Sequence, residues 1–432
     1  MHSRGNQDGT QVFVCAGPRT PFSRIDGPLA HLDPIGVSLP VVQGAVESLS
    51  SGASPDLVVW GSVIPSLTFS HIAREIWLDA GLEPHVPALT VIQQCATSLA
   101  AATHAAAQMK AGAIDLAICG GSESMSQVQA GLTRGMSQVM RRVAQVKGAR
   151  SKLEALGQLR LRHLKLAIPS VKERSTGLTM GDHAEITAKT WSIGRDSQDR
   201  FALASHENAV SAWERGFFDD LIVLSQQYPQ LERDSLPRPD TSLDKLAKLP
   251  PVFDRTSGLG TLTAGNSSPL TDGAACCWVA TQRGLDRFGQ EHHRARLIDW
   301  EVAAVDIDTD GLLMAPALAL PRLLARNGLA YGDIGLWEVH EAFAAQVLCT
   351  VAALNDKKWI LDKAGVSTEL GTVPEERINP NGGSVALGHP FGATGARILS
   401  QAVKQLSQTG GLGVVSICAA GGLGHVALLE SV

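Results

Sequence analysis

A chain of 432 residues is longer than one ordinary hydrophobic core serves, so two or three domains or subdomains are expected. Its apolar content of 44% is that of a soluble globular protein, and a formal charge of -5 points neither to nucleic acid nor to a membrane. Seven cysteines, an odd number without a CxxC pair, speak against a disulfide framework or zinc ribbon and for a reducing compartment.

Residues 1–10 contain neither an apolar signal core nor an Arg-rich amphipathic pattern, so a cytoplasmic, bacterial protein is expected. Residues 11–16 read as a strand that ends in the turn Gly17-Pro18-Arg19-Thr20-Pro21. A helix-like stretch runs to Leu49, followed by a strand at 57–60 and a helix at 71–80. Residues 88–92 form an apolar run expected to be a buried strand, and an alanine-rich helix covers 99–109. His104 and Gln108 interrupt that helix, the longest apolar candidate, well short of a membrane span. A strand at 114–119 is closed by Gly120-Gly121.

The region 126–256 differs in character. Eleven basic residues from Arg134 to Arg174, Arg160, Arg162 and Lys165 among them, face only Glu154 and Glu173, and leucines interleave with the charges. Such a run is a solvated helix face or a surface for an anionic ligand, a partner subunit or lipid. Beyond it, Leu262 to Pro269 and Thr271 to Ala275 are small and polar enough to receive a ligand along the main chain. Cys276 and Cys277 lie in an apolar strand and read as core, as do Cys15, Cys119 and Cys349. A helix at 316–327, a strand at 334–339, a helix from Glu341, a helix at 394–406 and a strand at 413–418 complete the chain. Alternation at this spacing predicts a mostly parallel sheet covered on both faces. The unit Cys95, helix, strand, Cys119-Gly120-Gly121 resembles the later unit His389, helix, strand, Cys418, Gly421-Gly422, a sign of internal duplication.

Four residues fall at strand C-termini or in the loops just after them, where open α/β sheets bind ligands: Cys95, His340, His389 and Cys418. Cys95 precedes a helix, where unpaired N–H groups and the helix dipole favour a thiolate over a thiol of reference pKa about 8.5. Taken alone, it reads equally as a small buried hydrophobe. His389, in Gly388-His389-Pro390, is placed to accept a thiol proton, although a lone histidine is more often a satisfied structural one. Cys418 enters Ala419-Ala420-Gly421-Gly422, a loop able to aim several N–H groups at a developing oxyanion. Met180, in Thr179 to Glu185, either lines a ligand site or packs ordinarily. No metal site is expected: HExxH is absent, and His292-His293 reads as surface. Gly422-Leu423-Gly424 lies too near the last residue for a dinucleotide fingerprint. Gly382-Gly383-Ser384-Val385-Ala386 lacks the last glycine of a hydrolase nucleophile elbow.

The Cys95 segment, His340-Glu341-Ala342-Phe343, Gly388-His389-Pro390 and Cys418-Ala419-Ala420-Gly421-Gly422 occur in the order seen in thiolases, and the resemblance covers nearly the whole chain. Within that family it is most like the 3-ketoacyl-CoA thiolases that form the beta subunit of the fatty-acid-oxidation trifunctional complex. His340 stands where many thiolases have Asn, Cys418 is followed by Ala-Ala, and Gly181-Asp182-His183-Ala184-Glu185 also matches. The resemblance implies an α/β, thiolase-like fold of two similar βαβαβαββ halves in a layered α-β-α-β-α core. The N-terminal half would comprise 1–125 and 257–285, a loop domain 126–256, and the C-terminal half 286–432.

It further implies that His389 deprotonates Cys95, that Cys95 attacks the 3-keto carbon, and that Cys418 protonates the departing acetyl-CoA enolate. The enolate oxygen would be held by His389 and a water or side chain positioned by His340, and the tetrahedral oxyanion by the N–H groups of Cys95 and Ala420. Ser268 and Met180 would contact coenzyme A, a co-substrate; no permanently bound cofactor is implied. A homodimer and a hydratase/dehydrogenase alpha subunit are the implied associations; the basic, leucine-interleaved region adds the CoA site, partner contact or peripheral membrane contact as its own expectation. The alternatives are a biosynthetic acetoacetyl-CoA thiolase, a non-catalytic thiolase-like lipid- or acyl-CoA-binding protein, which would be expected to have lost one of the Cys/His/Cys set, and a ketoacyl-synthase-type condensing enzyme, which has no need of Cys418.

Overall fold

The computed structural model describes residues 9–432, so the expectation about residues 1–10 falls almost wholly outside the described residues. Each half of the chain lays down the same run of elements. The first half has β1 (Phe13–Arg19), α1 (Pro34–Val46), β2 (Leu57–Gly61), α2 (Ile72–Asp79), β3 (Ala88–Thr90), α3 (Thr97–Lys110) and β4 (Leu116–Glu123). After an excursion containing α4 (Arg134–Gln145), α5 (Ala149–Leu156), α6 (Met180–Thr190) and α7 (Arg195–Glu214), it closes with β5 (Thr271–Ala280). The second half has β6 (Arg294–Ala304), α8 (Ala315–Arg326), β7 (Ile334–Val339), α9 (Ala344–Asn355), α10 (Thr394–Thr409), β8 (Leu412–Ala419) and β9 (Leu423–Ser431). The two series correspond, with the counterpart of β3 reduced to a parallel bridge between Trp337 and Ile378. β4 pairs parallel with β2 and antiparallel with β5, just as β8 pairs with β7 and β9.

The strands form one hydrogen-bonded sheet in the order β3-β2-β4-β5-β1-β6-β9-β8-β7, with Ser23–Arg24 added beside β5. This corrects the expectation of a mostly parallel sheet. Parallel pairs occupy only the flanks, and the six strands from β4 to β8 are joined antiparallel. The reason is the junction of the halves: β1 meets β6 head to tail, with Val14 opposite Ala295, and each half also ends in an antiparallel return strand.

Apolar faces set the layering. α1 and α2 cover one outer face through Val41, Ile76 and Trp77 against Val58, Trp60 and Trp278. α8 and α9 cover the other through Leu320, Leu324 and Val347 against Trp337, Val414 and Leu428. Between the two sheet regions, α3 and α10 share a central core of Leu99, Ala102, Ala105, Ile398, Ala402 and Val403. The layers therefore run α-β-α-β-α.

The alanines of α3 let α10 come close. Gly395 sits so near Leu99 that a Cβ would strike its backbone nitrogen, and Ser98 Oγ accepts the Ala396 N–H at 2.8 Å. The N-termini of the two helices are thereby pinned together.

Several local expectations change. β3 is only three residues long and half-buried, with Ile92 60% exposed, because it is an edge strand with one free side. β4 does not stop at Gly120-Gly121 but runs through them. Those glycines make room for the Trp60 ring and the Gly392 carbonyl. Thr271 to Ala275, expected to receive a ligand, belongs to the fully buried strand β5. The helix expected from Glu341 begins at Ala344, and Glu341 instead accepts bonds from Ser205, Asn379 and the Val385 N–H. His292 is half-buried against Phe288 rather than on the surface.

Candidate active site

Because α3 and α10 meet at their N-termini, the residues just before them converge. Cys95 lies two positions before α3 and His389 five before α10, and His389 Nε2 is 3.2 Å from Cys95 Sγ. Gln94 takes the left-handed conformation, φ 51, so the chain turns sharply as it presents the thiol. Such a residue stores on the order of 1 kcal/mol of strain. The turn is fixed by Gln93 N–H donating to Thr97 Oγ1 at 2.9 Å and by Gln93 Oε1 against His425 Nδ1 at 2.8 Å.

His389 is held on its other nitrogen. Nδ1 is 2.6 Å from Thr394 Oγ1, and that hydroxyl donates to the Pro390 carbonyl at 3.1 Å. With the threonine proton so used, Nδ1 carries the imidazole proton and Nε2 presents its lone pair to the sulfur, the state a general base requires. His389 N–H donates to Thr271 Oγ1 at 3.0 Å, which is what β5 contributes to the site.

His340 follows β7 and packs against His389 with ring centres 4.1 Å apart and ring planes inclined at 45°. One ligand-capable atom from each of Cys95, His340 and His389 lies within 4.8 Å of the others. Cys418, near the end of β8, is fully buried and close enough that charge on Cys95 opposes charge on it. The main-chain N–H of Ala420 and that of Cys95 itself both stabilise charge on the Cys95 sulfur. The loop carrying Ala420 is braced from the excursion by Glu173, whose carboxylate accepts the Gly421 N–H at 3.1 Å.

The electrostatics correct one expectation. Burial pushes the Cys95 thiol up to about 12, outweighing the two N–H groups that favour the thiolate. Burial, and then the Arg397 charge, pull His389 down to about 3. The resting pair is thus neutral thiol and neutral imidazole, because desolvation penalises both ions more than the helix terminus helps one of them. Burial raises Cys418 well above its ordinary value and lowers His340 well below its own.

Of the other residues singled out in the sequence, Met180 opens α6 and packs against the apolar cluster of Leu262, Ala342, Phe343 and Cys418. Ser268 is partly buried, and its hydroxyl and N–H both donate to the Ala342 carbonyl at 3.0 Å. Residues the sequence did not single out for the site are Thr394, Arg397, Glu123 and His425. Thr394 had one available signal, its place at the first position of the helix that follows His389. Glu123 accepts the Ile64 and Val63 N–H groups at 3.0 Å and the Gly392 N–H at 3.2 Å, tying β4 to the His389 loop.

A thiol facing an imidazole nitrogen, a second buried thiol and converging N–H groups on a doubled α/β fold are the parts an acyl-transferring enzyme needs. The family model for the thiolase N-terminal domain matches residues 12–283 and that for the C-terminal domain residues 291–431, and the chain belongs to the thiolase family. A protein of Yersinia pestis named 3-ketoacyl-CoA thiolase is 36% identical over 431 residues, 98% of each chain. The human mitochondrial 3-ketoacyl-CoA thiolase solved with CoA superposes with a TM-score of 0.81 at 28% identity, covering 98% of both chains. The Bacillus anthracis acetyl-CoA acetyltransferase gives 0.80 at 28% identity, covering 98% of this chain and 99% of the other.

Proposed function

We propose that the chain catalyses CoA-dependent thiolysis of 3-ketoacyl-CoA in fatty-acid β-oxidation. The observation that carries this reading is His389 Nε2 facing Cys95 Sγ at 3.2 Å beside Cys418. As the thiol approaches the 3-keto carbon, its proton passes to His389 Nε2 and the sulfur–carbon bond forms. The tetrahedral oxyanion is held by the Cys95 and Ala420 N–H groups. Collapse breaks the bond between carbons 2 and 3, leaving the shortened acyl group on Cys95 and an acetyl-CoA enolate. That enolate, held by His389 and His340, takes the Cys418 proton. The Cys418 thiolate then removes the proton of incoming CoA, whose sulfur attacks the acyl thioester. Cys95 leaves as thiolate and regains its proton from His389. Ser268 and Met180 lie beside the Ala342–Phe343 turn, where they would flank the pantetheine arm.

The same reading takes 1–125 with 257–285 as one half, 286–432 as the other, and 126–256 as a loop domain over the site. The Glu173–Gly421 bond supports that last assignment. Arg141, Arg142, Arg160 and Arg162 line one open groove of the excursion, and we assign this basic region to CoA binding, alpha-subunit contact or membrane contact. A homodimer in a bacterial cytoplasm is the expected setting. The likeness to the Bacillus anthracis acetyl-CoA acetyltransferase keeps a biosynthetic acetoacetyl-CoA thiolase as the second reading.

Loss of 3-ketoacyl-CoA enolate absorbance on adding CoA tests the activity, and no CoA-dependent loss would overturn it. Charge reversal at Arg160, Arg162 and Lys165 tests the basic region. Unchanged kinetics, alpha-subunit assembly and liposome binding together would remove its assigned roles.

A further inference from the structure

Among the described residues, Ser384 Oγ has two side-chain partners: His340 Nδ1 at 2.9 Å and Arg397 Nη2 at 2.8 Å. A guanidinium only donates, so the hydroxyl accepts from Arg397, and among the described residues His340 Nδ1 is the one acceptor in reach of the hydroxyl proton, which would otherwise be buried without a partner. A neutral imidazole that accepts at Nδ1 carries its proton on Nε2. We infer that Arg397, acting through Ser384, fixes His340 as the Nε2–H tautomer and so makes residue 340 a direct hydrogen-bond donor to the enolate oxygen. This inference rests on the thiolase reading above and adds Ser384 and Arg397 to it as positioning residues.

The orphaned atom is the second support. His340 Nε2 is buried and has no partner among the described residues, although its ring packs against His389 beside the Cys95 thiol. A buried N–H left without an acceptor is costly, and an oxygen that gains charge during the reaction would satisfy it. Arg397 is itself fixed. It is 2% exposed, donates to Gln401 Oε1 at 3.3 Å, and Gln401 in turn donates to the buried Glu338 at 3.2 Å and to the Gly382 carbonyl at 3.0 Å. The guanidinium charge beside the two rings also disfavours imidazolium at either one.

The first turn of α10 thus sets both histidines. Thr394 puts a lone pair on the Nε2 of His389, and Arg397, three residues on, puts a proton on the Nε2 of His340. Two rings in tilted contact are given opposite tasks by one helical turn.

The test is nitrogen NMR of the full chain labelled with 15N-histidine, with the His340 signals identified by their loss in His340→Asn. The expected result is an unprotonated Nδ1 and a protonated Nε2 in the unmodified protein. In Ser384→Ala the two tautomers should mix and kcat should fall about 10²-fold, the cost of one oxyanion donor, with KM changed less than about twofold. Ser384→Thr, which keeps the hydroxyl, should restore both the spectrum and kcat. Protonated Nδ1 in the unmodified protein overturns the inference, as does full kcat in folded Ser384→Ala. Should that variant not fold, the spectrum of the unmodified protein still decides. A chain that shows the expected tautomer but no thiolysis would instead remove the thiolase reading, which keeps the two failures apart.

Discussion

In the proposed mechanism, replacing His389 by alanine removes the acceptor for the Cys95 proton, and the direction of the loss follows from the thiol itself. Burial holds the Cys95 thiol far above neutral pH, so without an acceptor in reach almost no molecule carries the thiolate at about pH 7.5. Removal of one general base then lowers kcat/KM by about 10²- to 10⁴-fold, with water entering the space left by the ring recovering part of the loss. The variant's residual rate should climb about tenfold per pH unit between about pH 7 and 9, because only the thiolate reacts, while the unmodified enzyme stays nearly flat. The assay is CoA-dependent loss of 3-ketoacyl-CoA enolate absorbance across that range. A loss smaller than about tenfold, or a residual rate that ignores pH, would refute the claim that a half-buried neutral thiol depends on His389.

The neutral resting pair also governs alkylation. The rate of Cys95 modification by iodoacetamide in the absence of substrate should still rise with pH at about pH 9, whereas a plateau near neutrality, read by mass spectrometry, would mean a preformed thiolate. Cys418→Ala should lower thiolysis about 10²- to 10⁴-fold, the range of one general acid–base group, while Cys95 remains alkylatable; equal loss of both would make Cys418 merely structural. Gly121→Ala drives a methyl into the Gly392 carbonyl, so urea unfolding should show a loss of about 1–3 kcal/mol, with weakened turnover because that carbonyl belongs to the His389 loop.

Of the four candidate residues, His340 and Cys418 stand at strand ends, which follow from apolar runs and glycine turns, whereas Cys95 lies five residues past a short edge strand and His389 follows a one-turn helix, Ser384–Leu387, with no strand leading into it. Their convergence needed more: it depends on Gly395 seating against Leu99, a contact between residues nearly 300 positions apart. Strand direction was less legible. The antiparallel seam of β1 against β6 is decided by how the halves meet, and alternation of strand and helix within one half says nothing of that. The charge state of Cys95 was misread for a physical reason. A helix terminus is visible in sequence, but the burial that outweighs it depends on the tertiary fold. Ser384 stood in a glycine-rich stretch that could be compared with a hydrolase elbow, yet its actual partners lie in β7's exit loop and in α10.

The central seam has a consequence for biogenesis. β1 is made before every other described strand, yet its neighbours on both sides, β5 and β6, follow it far along the chain, with Phe13 paired to Ala280 and Arg296. At ribosomal speeds of about 5–20 residues per second, Phe13, Val14 and Cys15 wait on the order of tens of seconds before Val279 and Ala295 exist to pair with them. A nascent chain of this topology carries an unsatisfied, strongly apolar edge through most of its translation. Its yield in a cell should therefore depend on holdase chaperones to a degree that the stability of the finished enzyme would not reveal.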